Sequence, residues 1–453
     1  MSSAGTNVEL KHRVTLTGAP VVILWIVLFS TLPFAAILGG MSWLLIALAI
    51  GTAVIVYQRP QEAPAAGILF IFGAAIILPY SSRFDFTLQS SEMYYWATGL
   101  LIITLAAVMR IGLRKVFAIP ISAKVFLGVA FASSLYAEAH GAQSSYVLRQ
   151  FYGVLLLILY FGIALHAGDE ELLVKRTATF GVLCALLFFI YYAAVFSEYG
   201  FHKELGFHGT QASFLAIVLF LTAVERKNAL WAAGGLALFL VPVLIFMRKD
   251  ILTFLMALAI AFAMKLKSKM VRLVCFVVIG MIALISLFPE VTQIVSDNLI
   301  ASTAISDIIP LGSQDATTLY ERSLQLGVAL AAVQSHPLLG EGLGSAFWWE
   351  SPTFGLMEVG YVDSGWGYLL QKMGLLGAAA FLWFLVTIFR SISCRSIALS
   401  ACLLAATIVT MFSEPVFLHF TTAPFLGAFA GLSIARQRLE GSRGSCPSSS
   451  SRV

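Results

Sequence analysis

Long uncharged apolar runs decide what this chain can fold into. VVILWIVLFS (21–30), LLFFIYYAAV (186–195) and CFVVIGMIAL (275–284) are three of many. A helix needs about 20 mostly apolar residues to cross a bilayer core. Membrane β-strands would show short alternating segments instead. Only 11% of the residues are charged, against about 25% in a soluble domain. The sequence therefore predicts an all-α, polytopic membrane protein.

Hydropathy places about 14 spans, at 18–37, 41–57, 64–80, 93–112, 121–137, 146–166, 177–197, 207–224, 229–246, 250–265, 271–288, 363–388, 396–413 and 416–434. The expected organisation is a cytoplasmic tail (1–17), eleven spans (18–288), a large extracytoplasmic loop (289–362), three more spans (363–434) and a Ser/Gly-rich cytoplasmic tail (435–453). The start, MSSAGTNVELKHRV, lacks the pattern of a cleaved signal, so the first apolar run is expected to be retained.

Charge orients the chain. With the N-terminus cytoplasmic, 20 of the 28 Lys and Arg fall on the cytoplasmic side, as the positive-inside rule requires, and only 7 of the 23 acids do. The 8 remaining cations are Arg83, Lys124, Arg149, Lys203, Arg248, Lys249, Arg322 and Lys372. They stand against the bias, which makes them the first candidates for binding an anion.

The gap 289–362 is too long for a simple connector. Thr318 and Glu321 fit a capping box, a hydroxyl at the N-cap and a carboxylate three residues on. Helix formers follow to Ser335, and His336-Pro337 then stops the helix, because a residue before proline avoids the α region. An amphipathic helix over about 318–335 is expected at the outer interface.

HPLLGEGLGSAF (336–347) carries Gly340, Gly342 and Gly344 at alternate positions. It has neither the βαβ context of a dinucleotide site nor the Gly-Lys-Ser/Thr of a P-loop. Two readings stand. It is a flexible return to the membrane, or its glycines let backbone N–H groups approach an anion beside His336, which exchanges protons near neutral pH.

FMRKDIL (246–252) sets Arg248 and Lys249 on an acid-rich outer turn, either a solvated cap or a phosphate contact. Arg149 near the start of a span either snorkels to the interface or faces a polar cavity. Arg322 in the first turn of the loop helix opposes the dipole, which an anionic ligand would offset. His202, Lys203 and His208 are candidates to line an acceptor groove; no third ligand makes a metal site of the two histidines.

The run YERSLQLGVALAAVQSHPLLGEGLGSAF (320–347) resembles the signature of the O-antigen ligase and polymerase superfamily, an arginine, an amphipathic stretch, then His-Pro-x-x-Gly-x-Gly and an aromatic. Arg322, His336, Pro337, Gly340, Gly342 and Phe347 match it. VDSGWGYLLQKMGLLGAAAF (362–381) is similar to the next piece, a polar residue opening a helix with a Gly-x-x-Gly run. This chain has Asp363 where that family often has Asn, and Met247-Arg248-Lys249 where it often has Ser-Arg.

That resemblance implies a metal-independent, inverting glycosyl transfer at the outer face of a bacterial inner membrane, without a cofactor. The donor would be an undecaprenyl-diphosphate-linked glycan. The acceptor would be a growing glycan or a lipid A-core, with other polysaccharide-assembly proteins as partners. The first outer loop, LGGMS (38–42), has no acid, unlike the acidic motif of many lipid-phosphate glycosyltransferases. Arg149, Arg248, Lys249 and Arg322 are the expected diphosphate ligands. His336 is expected beside the reacting hydroxyl, with Gly340, Glu341, Gly342, Asp363 and His208 shaping the loop or holding the acceptor. Residues 322 and 336 would be about 21 Å apart on one straight helix, so a shared diphosphate requires the helix to break. A lipid-linked oligosaccharide transporter is the rival, with unusual charges expected near the bilayer midplane instead.

Overall fold

The computed structural model describes residues 41–77, 91–199, 209–244, 248–265, 327–351, 355–359, 364–391, 397–411, 417–419 and 421–441. The helices are α1 (Met41–Gln58), α2 (Ala63–Ile77), α3 (Ser91–Ile111), α4 (Ile121–Ala139) and α5 (Ser144–Ala167). Next comes α6, continuous through Glu170–Arg176, a π-helical turn Thr177–Gly181, and Val182–Tyr199. Then follow α7 (Gly209–Glu225), α8 (Ala229–Leu244), α9 (Arg248–Lys265), α10 (327–335), α11 (Gly365–Ser391), α12 (Ile397–Ala405) and α13 (Ala423–Gly441).

Among the described residues, four helical stretches are long and apolar enough to cross a membrane: Ile121–Ala139, Ser144–Ala167, Glu170–Ile190 and Gly365–Ser391. Six shorter apolar helices accompany them. The expected spans 18–37 and 271–288 lie outside the described residues. The expected span 416–434 begins later: Phe417–His419 is a turn, and α13 starts at Ala423. Its apolar composition hid the turn.

A short antiparallel hairpin, β1 (Phe347–Ser351) and β2 (Gly355–Val359), follows the glycine loop, with Phe347 opposite Val359. Its residues read as ordinary loop in sequence, since one pair of five-residue strands shows little periodicity.

Small residues set the helix packing. A Cβ on Gly427 would come within 2.3 Å of the Leu157 carbonyl oxygen, and one on Gly431 within 2.4 Å of that of Phe161. This Gly-x-x-x-Gly face lets α13 lie directly on α5, as small residues do between membrane helices. The residue numbers rise together along the contact, so α5 and α13 run parallel.

α4 meets α11 the other way round. Phe126 stacks on Phe384 and lies tilted against Phe381, and Ser133 reaches Lys372, so the two are antiparallel. On the opposite side of the molecule Arg176 grips Glu62 through two hydrogen bonds, from Nε at 3.0 Å and Nη2 at 2.5 Å. A paired carboxylate is what allows Glu62 to be buried there.

Candidate functional site

The helix stop at His336-Pro337 is where the sequence places it. α10 ends at residue 335, and the His336 N–H still reaches the Ala332 carbonyl at 2.8 Å. The His336 side chain is exposed. The loop then turns down onto α4, α5 and α11.

Gly340 and Gly374 make that docking possible. Gly340 has φ 64° and Gly374 has φ 61°, a region that side chains with a Cβ avoid. A Cβ on Gly340 would lie 2.2 Å from the Gln371 oxygen, and one on Gly374 would lie 2.5 Å from the Leu338 oxygen. The two glycines face each other across the contact. Gly342 presses against Ala137 and Gly344 against Val147 in the same way.

Gly374 also breaks α11, with ψ −161° inside the helix. A break frees backbone groups that must find partners where water is scarce. The loop and α4 supply them. Leu375 donates its N–H to the Pro337 carbonyl at 2.9 Å and Leu376 to that of Leu338 at 3.2 Å. The Gln371 carbonyl accepts from Glu341 N–H at 2.7 Å, and the Lys372 carbonyl accepts from the Ser133 hydroxyl at 2.6 Å.

Five of the loop's backbone donors are bonded within the protein rather than open to an anion. The N–H groups of Gly340, Glu341, Leu343, Gly344 and Ser345 go to His336 O, Gln371 O, Ser133 Oγ, Gln150 Oε1 and Gly342 O. They are committed to the protein. Gly340 and Gly342 shape and seat the loop, the other role sequence assigned them.

Side chains lock the same contact. Gln371 donates from Nε2 to Glu341 Oε2 at 3.1 Å. Lys372, fully buried, donates from Nζ to the Ser345 carbonyl and, at 2.9 Å, to its hydroxyl, and is electrostatically paired with Glu341. Lys372 stood among the eight cations on the outer side or within spans. Its place is under the loop, as an anchor.

His336 has neighbours that sequence did not single out. The Tyr136 hydroxyl lies 3.1 Å from His336 Nδ1. The Tyr136 ring packs, tilted, against His140 with centroids 4.1 Å apart, and His140 Nδ1 donates to the Tyr136 carbonyl at 2.8 Å. Tyr136 and His140 are one turn apart at the end of α4, a spacing that was visible but had no partner until α10 was placed.

A second cluster forms where the N-terminal ends of α5, α7, α9, α11 and α13 meet. Asp250, fully buried, accepts from the Thr210 hydroxyl at 2.8 Å, and Ser213 donates to its backbone carbonyl at 3.0 Å. Its neighbour Lys249 acts electrostatically on His419. Arg149 acts on both His419 and Tyr368. The His419 side chain is half-buried there. Its Nδ1 lies 2.7 Å from the Thr421 hydroxyl.

Two of the expected diphosphate ligands, Arg149 and Lys249, thus both act electrostatically on one imidazole. His419 and Tyr368 were missed in sequence, where an aromatic and a histidine at the edge of apolar runs carry no distinctive spacing. No protein-family model matches this sequence, and no curated protein matches it either. Arg248 opens α9, but its side chain is outside the described residues, as are Arg322, Asp363 and His208 entirely.

The two clusters adjoin through shared helices. Arg149 belongs to the cation cluster, and the next residue, Gln150, holds Gly344. Tyr368 and Lys372 are one turn apart on α11, about 6 Å along its axis. A polar ligand at the cation cluster would therefore lie beside the loop that carries His336.

Proposed function

We propose that this protein is a glycosyltransferase of the bacterial inner membrane, with about 14 spans in all. In this reading it transfers glycan from an undecaprenyl-diphosphate carrier to a sugar hydroxyl at the periplasmic face, extending a polysaccharide by a metal-independent, inverting reaction. The observation that carries the reading is the seating of the His336 loop, through Gly344 and Gln150, beside Arg149. The resemblance of 320–347 and 362–381 to the O-antigen ligase and polymerase signature supports it from sequence.

The chemistry follows from the residues. The acceptor oxygen attacks the anomeric carbon, and the bond from that carbon to the diphosphate oxygen breaks. The diphosphate leaves with the electron pair, and His336 takes the hydroxyl proton. Cations are needed where negative charge grows on the leaving group. Arg149 and Lys249 fill that role, with Arg248 and Arg322 as further ligands. Docking of the loop on α11 fixes the backbone just after His336, which limits where the base can sit.

Polymerase and ligase share this donor chemistry. Purified protein given undecaprenyl-diphosphate oligosaccharide separates them. Chain growth without another acceptor identifies a polymerase, and transfer only after lipid A-core is added identifies a ligase. Absence of both products sinks the reading.

The break in α11 favours a second reading, since secondary transporters bind substrates at discontinuous helices. Here, however, the backbone groups freed by Gly374 are bonded to 337–341 and Ser133, leaving them little to offer a cargo. Movement of lipid-linked oligosaccharide between leaflets, without elongation, would establish the transporter.

A further inference from the structure

The structure assigns Tyr136 as the positioning residue for His336: its hydroxyl occupies Nδ1 and leaves Nε2 as the nitrogen that meets the acceptor. This rests on the glycosyl-transfer reading and deepens it.

His336 sits on the first residue after α10, exposed and outside the docked glycine segment. A histidine there has free rotation about two side-chain bonds, so a base needs something to hold its ring. Among the described residues, the Tyr136 hydroxyl at 3.1 Å supplies its one ring hydrogen bond. The bond engages Nδ1. Nε2, on the opposite side of the ring, is thereby left for a ligand. The hydrogen bond made by one ring nitrogen sets the protonation of the other. A phenol hydroxyl both donates and accepts, so the contact fits either tautomer; in the one with Nδ1–H donated to the Tyr136 oxygen, neutral Nε2 carries a lone pair and accepts the incoming hydroxyl proton.

Tyr136 is itself held. Its ring packs on His140 at 4.1 Å, and His140 is pinned by the bond from its Nδ1 to the Tyr136 carbonyl. Because a carbonyl only accepts, His140 Nδ1 bears the proton. Tyr136 lies one turn beyond Ser133 on α4, and Ser133 is bonded to both the Lys372 carbonyl and the Leu343 N–H. The phenol is thus fixed to the same scaffold as the glycine loop. Helix α4 aims His336, and the loop sets where α10 ends.

The test uses the full-length protein in nanodiscs of bacterial phospholipid, with undecaprenyl-diphosphate oligosaccharide as the probe. Wild type, Tyr136→Phe, His336→Gln and His336→Asn are compared for steady-state elongation. The ring nitrogens of His336 are read by ¹⁵N NMR, assigned by their loss in His336→Gln. Tyr136→Phe keeps the ring and removes only the hydroxyl. It is expected to shift the His336 Nδ1 resonance and to lower kcat about tenfold, the effect of one hydrogen bond, with KM changed less than twofold. His336→Gln, whose amide reaches the place of Nε2, should keep more activity than His336→Asn, which reaches only the place of Nδ1. Wild-type kcat in Tyr136→Phe overturns the assignment, whether or not the resonance moves. So does an Asn variant more active than the Gln variant. A wild-type protein that elongates nothing, with the Nδ1 resonance still sensitive to Tyr136→Phe, overturns the glycosyl-transfer reading while upholding the Tyr136–His336 contact.

Discussion

Glu341 and Gln371 are bonded to each other twice. The Glu341 N–H donates to the Gln371 carbonyl at 2.7 Å, and the Gln371 side-chain amide donates back to Glu341 Oε2 at 3.1 Å. The first bond is available only because Gly374 breaks α11 just beyond. The second places a carboxylate within electrostatic reach of the buried Lys372. A loop residue and a helix residue far apart in sequence thereby fix the seat of the segment that carries His336.

Glu341→Ala removes a charged hydrogen-bond acceptor and leaves Lys372 buried with less compensation. A loss of about 2 to 3 kcal/mol is expected, measured as thermal unfolding in nanodiscs. Lys372→Met in the Glu341→Ala background should recover part of that loss, because the uncompensated charge goes with the lysine. A double variant that loses the full sum of the two single effects would show that the pair is not coupled.

Gly340→Ala and Gly374→Ala each put a Cβ within 2.5 Å of a backbone oxygen at a positive φ. Each should destabilise the protein by about 2 kcal/mol or more and detach the loop, raising amide exchange at 338–345. Gly327→Ala is the control. Nothing lies within 4 Å of a Cβ there, and it is helical, so the change should be neutral or slightly stabilising. Equal effects at all three positions would remove the docking argument.

Arg149→Gln and Lys249→Gln should each raise the KM for the lipid-linked donor about tenfold, as expected for one charge-assisted contact. Because both act on the same centre, the double variant should lose less than the product of the two. Donor KM unchanged in both single variants would move the diphosphate elsewhere.

How much of this was legible beforehand varies with the kind of signal. Apolar run length showed helices from Met41 onward, because burial in lipid needs no partner to be read. The His336-Pro337 stop was legible because proline acts on its own neighbour. Arg149 and Lys249 stood out because they opposed the charge bias. The role of Gly340 and Gly342 was half legible: their need for positive φ is local, but what they pack against, Gln371 and Ala137, is remote in sequence. Gly374 read as part of an ordinary span for the same reason. Tyr136, Tyr368 and His419 matter only through partners on other helices. Arg322, Asp363 and His208 lie outside the described residues, so their roles rest on sequence.

The central claim is that His336 serves glycan transfer. Its most direct test is elongation of undecaprenyl-diphosphate oligosaccharide by purified wild-type protein and by His336→Ala, with folding of both checked by thermal unfolding. Longer glycans from wild type and a rate at least about a hundredfold lower from the equally stable variant are predicted, the loss typical of a general base. Equal elongation by both, or none by wild type in the presence of either glycan or lipid A-core acceptor, would contradict the account.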